Sequence, residues 1–462
     1  MMAKHHPVVR AIQACGIAGL LSFVSSSASA AGFALIEQSV SSMGTAYAGA
    51  GSISEDASTV FFNPASMARL EGSQLSAGLH IVLPDSDFSG TGTYNASHPI
   101  YSPPSPIAGL GLGGTSFGGG GGNGGKDAVV PHFTYVHDIN EKWNFGFSVN
   151  APFGLATEYN STWAGRYSAI ESEIVSVNLN PTLSFKIDEH ASIGFGLNAM
   201  YASLELKNAI DDGLLNILAG SPFPILPGAA DREGKIDAID DWGFGFNVGI
   251  LLEPTDHTRL GLAYRSKVDV DLDGDFKSQS RFVPSSSAKA DVSLPDNLLL
   301  SAYHEITPKY AIMADVLWTQ WSKISDLKVE LGTGSTNTFD LQWEDTVRVA
   351  VGGSYKYDSK WTLRTGVAYD ESPTRNQELR LAALPDDDRI WLDFGIGYKH
   401  SDKLSFDVGY AHLFIDDPKI NSTDAVSSNI SALAPSNQGL HRLTGEFDAD
   451  VDIFSAQVNW KL

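Results

Sequence analysis

Cysteine is almost missing from this chain of 462 residues: only Cys15 occurs. A disulfide framework needs pairs of thiols and a zinc-thiolate centre needs several, so both are excluded. Basic residues are also scarce, 31 against 54 acidic ones, for a formal net charge of −23. That balance argues against nucleic acid and anionic lipid surfaces as partners. A membrane-crossing helix needs roughly 20 consecutive apolar residues. The stretch from Ala14 to Val24 falls short of that, and later stretches are broken sooner by charge or glycine.

That early stretch has a meaning of its own. Lys4, His5, His6 and Arg10 precede it, and small residues ending in Ala28-Ser29-Ala30 follow it. This is the layout of a secretory signal peptide over 1–30, cleaved after Ala30. An uncleaved anchor helix is the alternative, which the short apolar run disfavours. Removing the segment takes away Lys4 and Arg10 and no acid, so the exported chain is more acidic still and carries no cysteine.

What the chain has in quantity is alternation. Phe145, Phe147 and Val149 alternate with glycine and serine, and the same period of two returns in Leu260, Leu262 and Tyr264, in Val347, Val349 and Val351, and in Trp361 to Tyr369. One face of each run is apolar; the other is small or polar. A soluble β-sandwich and an outer-membrane barrel both read this way. Aromatic residues at run ends (Trp143, Trp242, Trp318, Trp361, Tyr410, Trp460) favour the barrel, as does the asymmetry of the connections. "KIDEHAS", "EPTDHT", "KYDSKW" and "KHSDKL" are short, whereas the intervening ones are long. The expected fold class is all-β, a transmembrane antiparallel β-barrel over 73–462 in the outer membrane of a Gram-negative bacterium. Its wall would contact outer-membrane lipid and lipopolysaccharide.

Residues 31–72 do not alternate. Phe33, Leu35, Ile36, Phe61, Phe62 and Met67 are too apolar for a solvated tail. The segment is expected to fold into the lumen as a plug, with Asn63-Pro64-Ala65 as a fixed turn.

The stretch "AGFALIEQSVSSMGTAYAGAGSISEDASTVFFNPASM" closely resembles the N-terminal hatch of the FadL-type outer-membrane transporters of long-chain fatty acids and aromatic hydrocarbons. The likeness continues in "PFGLATEY", "STWAGRYSAIESEI" and "LPDNLLLSAYHEITPKYAIMADVLWTQWSKI", and so runs through nearly the whole exported chain. The resemblance implies a monomeric barrel of about 14 strands plugged by the hatch, passing hydrophobic small molecules by diffusion without a cofactor. In it, ligand is caught in an apolar extracellular groove, moves to an internal pocket and leaves sideways through an inward kink in the third strand. Phe33, Asn63, Pro64 and Ala65 would belong to the gating hatch.

Several residues can be set against that scheme. The kink falls at Pro152-Phe153-Gly154, where proline lacks the ladder N–H and glycine permits unusual dihedrals; a strand simply ending in a loop is the alternative. The insertion 208–235 carries Leu214, Leu215, Ile217, Leu218, Phe223, Ile225 and Leu226, which either form the capture groove or pack the loop on its neighbours. A fatty-acid carboxylate needs a cationic or hydrogen-bonding partner once desolvated. The resemblance puts a basic residue just after the strand with Met200-Tyr201, where this chain has Lys207 and then Asn208; Arg166 is a further candidate, with Arg348, Arg375, Arg380 and Arg389 behind it.

Other stretches are weaker than they look. "GGGNGGKD" has Asp127 where a phosphate loop needs Ser or Thr, and reads as a flexible loop. "DVDLDGD" lacks the closing Glu of a calcium loop and reads as a strand with Asp269, Asp271 and Asp273 facing the lumen. His132, His137, His304 and His412 have no metal-ligand spacing, so no metal is expected. A general porin and a barrel enzyme remain as other classes; no Ser-His-acid pattern supports the latter.

Overall fold

The computed structural model describes residues 32–105, 107–117, 120–221, 226–424, 426–427 and 439–462. The expected signal segment lies outside them, as do Phe223 and Ile225. In chain order the strands are β1 (Gln74–Tyr94), β2 (Ser116–Phe117), β3 (Gly122–Asn123), β4 (Ala128–Asn140), β5 (Trp143–Asn150), β6 (Gly154–Glu158), β7 (Glu171–Lys186), β8 (Ala191–Asp211), β9 (Asp231–Thr255), β10 (Thr258–Arg265), β11 (Val268–Ser278), β12 (Ser286–Leu294), β13 (Asn297–Thr307), β14 (Tyr310–Thr319), β15 (Asp326–Leu331), β16 (Thr336–Asp340), β17 (Thr346–Lys356), β18 (Trp361–Asp370), β19 (Arg389–Lys399), β20 (Leu404–Ile415), β21 (Lys419–Thr423), β22 (Val426–Ser427) and β23 (His441–Lys461).

The antiparallel ladder closes on itself. From β1 it runs through β4, β5, β7, β8, β9, β10, β13 and β14. It continues through β17, β18, β19 and β20 to β23, which pairs with β1 along 74–94. Closure satisfies the backbone groups that hydrocarbon cannot. No helix among the described residues is long and apolar enough to cross a membrane.

The sheet holds 23 strands in all, beyond the number expected from the sequence, because strands continue past the ring. β11 and β12 leave the wall at β9, and the pairing goes on through β15 and β16 to β22.

Alternation sets which face meets what. On β10 and β17, Leu260, Leu262, Val349 and Val351 point outward with 41–55 % of their surface bare, while Gly261, Ala263, Arg265, Arg348 and Ala350 point inward and are buried. The large apolar side chains are outside and the small or polar ones inside, the order a lipid-facing wall requires. On β11 the order reverses. Asp269, Asp271 and Asp273 are exposed and Val268, Val270 and Leu272 are buried. The lumen-facing acidic row expected from the sequence is therefore corrected: past the ring the outer face meets water, so charge turns outward. The "GGGNGGKD" stretch is likewise no simple loop, since β3 pairs with β1 and Lys126 sits among Glu158, Glu171 and Glu173 at 3.1–3.6 Å.

Residues 32–70 fill the ring. Val40, Met43, Tyr47, Val60, Asn63 and Met67 are at most 1 % exposed, and the segment is tied to strands on several sides. Val40 N–H donates to Gln457 Oε1 on β23 (2.9 Å), Gly49 N–H to Asp315 Oδ1 on β14 (2.7 Å), and Arg348 on β17 to Ala46 O (3.1 Å). Lumen-facing glycines allow this approach: Gly261 lies against the Gly51 carbonyl, Gly366 against Thr45 and Gly395 against Gly44, where no Cβ fits.

Candidate ligand-binding path

The third strand of the ring breaks where proline interrupts it. β5 ends at Asn150, Ala151-Pro152-Phe153 follow, and β6 resumes at Gly154 paired only with β7 among the described strands. Across the break, residues 128–132 of β4 pair with β1 but have no described strand on their other side. Pro131 and Pro152 flank this opening, and neither has an N–H to leave unpaired.

The N-terminal segment supplies the missing partner from within. Leu35 N–H donates to Pro152 O (2.7 Å), Gly154 N–H donates to Phe33 O (2.8 Å), and Ala34 bridges Phe153. Ser176 Oγ receives the Phe153 N–H (2.9 Å) and donates to the Phe153 carbonyl (2.6 Å). Three residues of the N-terminal segment thus act as a short strand on the broken edge.

Phe33 itself enters an aromatic cage. Its ring centroid is 5.0 Å from Trp321, 5.6 Å from Trp343 and 5.9 Å from Phe153, within the range where edge-to-face contacts attract. Gly32, at φ +62°, lies against the Trp321 indole, and its N–H donates to Asp386 Oδ2 at 2.9 Å. Asp386 is buried and ion-paired with Arg389. Burial pushes the Asp386 carboxyl up to about 6, against the pull of Arg389 and the Gly32 N–H.

Two cavities meet at this cage. The outer one, about 500 Å³, is lined by Phe33, Ile174, Leu204, Val270, Leu272, Leu294 and neighbours; almost every lining side chain is apolar. The inner one, about 1100 Å³ with its open mouth, lies between Leu35, Tyr47, Phe61 and Phe62 of the N-terminal segment and Phe153, Arg265, Leu299, Trp321 and Arg348 of the wall. Phe33 lines the outer cavity; Phe153 and Trp321 line the inner.

Asn63-Pro64-Ala65 anchors the segment at another point. Asn63 Nδ2 donates to Gly51 O (2.8 Å) and to Ile250 O of β9 (3.1 Å), while its Oδ1 accepts from Ala65 N–H (3.0 Å). Pro64 opens the 3₁₀ turn Pro64–Arg69, where its missing N–H goes unneeded.

The insertion residues sit elsewhere. Leu214 lies on the short helix Asp212–Leu218, wholly buried with Tyr94, Ile100, Tyr101, Ile107 and Phe117, and Ile217 and Leu218 pack on the same cluster. Leu215 is half-buried and Leu226 exposed; none of the five lines either cavity. The cationic candidates are also engaged. Lys207 pairs with Glu233 (3.1 Å), Arg166 with Asp231 (2.7 Å), and Asn208 Nδ2 donates to Tyr167 O (3.2 Å). Sequence reasoning missed Arg265, although alternation with Leu260, Leu262 and Tyr264 places it on the inner face. It also missed that His412, Asp450 and Asp452 bring ligand atoms within 4.8 Å of one another, because the pair β20–β23 joins residues far apart in sequence.

A closed β wall with a filled lumen, a broken third strand and two cavities meeting at the break is an arrangement that can be compared with known proteins. A family model described as outer membrane protein transport protein (OMPP1/FadL/TodX) matches residues 21–462. The chain belongs to the FadL/TodX family. The long-chain fatty acid transport protein of Escherichia coli O6:H1 is 31 % identical over 421 residues, 86 % of this chain and 90 % of that one. Outer membrane protein P1 of Haemophilus influenzae is 34 % identical over 408 residues, 84 % and 86 % of the two chains. A crystal structure of a Pseudomonas aeruginosa FadL homologue superposes with a TM-score of 0.80 at 25 % identity, covering 93 % of this chain and all of that one. The Ralstonia pickettii toluene transporter TbuX shares the fold at 18 % identity, with a TM-score of 0.61 over 88 % of this chain and 94 % of its own. FadL/TodX proteins are outer-membrane transport proteins, so this barrel is a transport protein of the outer membrane and not an enzyme.

Proposed function

We propose that this member of the FadL/TodX family takes up hydrophobic molecules, long-chain fatty acids above all. The outer apolar cavity captures the ligand, which passes Phe33 into the inner cavity and leaves sideways between β4 and the kink at Pro152-Phe153-Gly154. Residues 31–72 act as the hatch, and the protein works as a monomer in lipid and lipopolysaccharide. One observation carries this reading: Phe33 to Leu35 both separate the two cavities and bond the kinked edge. Displacing those residues would open the inner passage and free the edge in one movement.

A second reading, neutral aromatic or aliphatic hydrocarbons by the same route, draws support from the apolar lining of the outer cavity, which asks nothing of a head group. An open porin for polar solutes fits poorly with a ring filled by residues 32–70. The test is mass spectrometry of ligand copurified from the native outer membrane, with uptake of labelled oleate and of toluene measured in cells producing the protein. Fatty acid in the preparation and oleate uptake above that of cells lacking the protein are expected. Toluene uptake without oleate uptake would move the assignment to hydrocarbons, and uptake of neither would end it.

A further inference from the structure

Five arginines are buried among the described residues: Arg166, Arg265, Arg348, Arg380 and Arg389. Four have a carboxylate at ion-pair distance: Arg166 faces Asp231 (2.7 Å), Arg348 faces Asp370 (3.9 Å), Arg380 faces Asp387 (2.6 Å) and Arg389 faces Asp386. Arg265 has none within 4.0 Å among the described residues. Its Nη2 donates to Phe61 O (2.8 Å), its Nη1 to Asn198 Oδ1, and its guanidinium lies over the Phe61 ring at 4.5 Å. These are neutral acceptors and use part of a five-donor fork. A buried cation without a counter-charge is costly to keep, so its retention here calls for an explanation.

The cavity supplies one. Arg265 lines the inner cavity beside Phe61, Phe62, Leu299 and Leu317, a cationic fork at the edge of an apolar slot. The other charges on that lining already have protein partners: Asp315 accepts from Gly49 N–H and Ser301 Oγ, and Arg348 stands near Asp370. We propose that Arg265 is the head-group anchor of the inner cavity and that its missing counter-charge is the carboxylate of a fatty acid. The carboxylate oxygens take the free side of the fork, as planar guanidinium favours, while the hydrocarbon chain lies along Phe61, Leu299 and Leu317. This assignment rests on the inner cavity being the ligand pocket. It replaces Lys207, Asn208 and Arg166 as the acid-recognising residues and makes the inner cavity selective for acids over neutral chains of equal length.

The experiment compares oleate with oleyl alcohol, which has the same chain and no charge, by titration of the purified detergent-solubilised protein. Wild type should bind oleate at least tenfold more tightly than the alcohol. Arg265→Gln should remove most of that preference while leaving alcohol affinity within about twofold, and Arg265→Lys should retain part of it; Arg166→Gln serves as the control that leaves it intact. Equal affinity of wild type for the two ligands would overturn the proposal without any variant, as would an Arg265→Gln protein that loses both ligands alike or keeps its preference. Wild type binding both ligands tightly and equally would still leave the pocket assignment standing. Failure to bind either would bring that assignment down as well.

Discussion

Phe33 keeps its place in the aromatic cage through its neighbour, since the Gly32 N–H bond to Asp386 fixes the start of the segment. Asp386 lies in the 371–388 connection and is raised to about 6 mainly by burial, against roughly 3.9 for a solvated aspartate. If undocking Gly32 and Phe33 lets water reach Asp386, the lost burial, which is the largest cause of the rise, outweighs the lost Gly32 N–H bond, which lowers the value, and the value falls toward that reference. The docked state thus holds the proton more tightly. Linkage then gives docking an added stability that is full below about 4 and is lost as pH rises through about 6. Amides of Phe33 to Leu35 should exchange faster at pH 7.5 than at pH 5, after correction for intrinsic rates, and Asp386→Asn should flatten the difference. Protection that is independent of pH, or greater at pH 7.5, contradicts this. Asp386 could not be singled out from sequence, because "LPDDDR" offers three aspartates and only the fold buries this one against Arg389.

Elements differ in how far the sequence reveals them. The wall strands were readable because period two needs no tertiary knowledge, and β5 ends just before Pro152, which has no N–H to give a ladder. The side to which a face turns was less readable. On β11 the same alternation of Asp with Val and Leu serves water outside and an apolar cavity inside, and nothing local in "DVDLDGD" says that the strand lies past the ring. The insertion at 208–235 left two readings open, a capture groove and a loop packed on its neighbours. Its leucines are as apolar as a capture groove would need, yet Leu214 is spent on Tyr94 and Tyr101. For the proposed hatch, deletion of Phe33 to Val40 should leave a folded, heat-modifiable barrel with much reduced uptake, because the strand-to-strand ladder of the ring does not include it and only the edge at Pro152 and Gly154 loses its partners. Replacing Asn63 and Pro64 by alanine removes the bonds to Gly51 and Ile250 and should impair oleate uptake more than surface abundance. Unchanged uptake in both variants would contradict a coupling role for the hatch.

The wall as a whole departs from closure where β4 runs past the end of β5. A ladder that pairs all round needs no edge, yet residues 128–132 of β4 face a break that Phe33 to Leu35 cover from within. If ligand leaves there, a side chain at Gly154 fills the opening or forces regular pairing. The direct measurement is uptake of labelled oleate in cells producing Gly154→Val, Gly154→Glu or Gly154→Arg, with surface abundance and oleate binding to purified protein checked in parallel. Abolished uptake is expected at normal abundance, with binding within about 1 kcal/mol, roughly fivefold, of wild type. Normal uptake by all three variants would contradict the lateral route and leave a path down through the hatch, past Asn63-Pro64-Ala65.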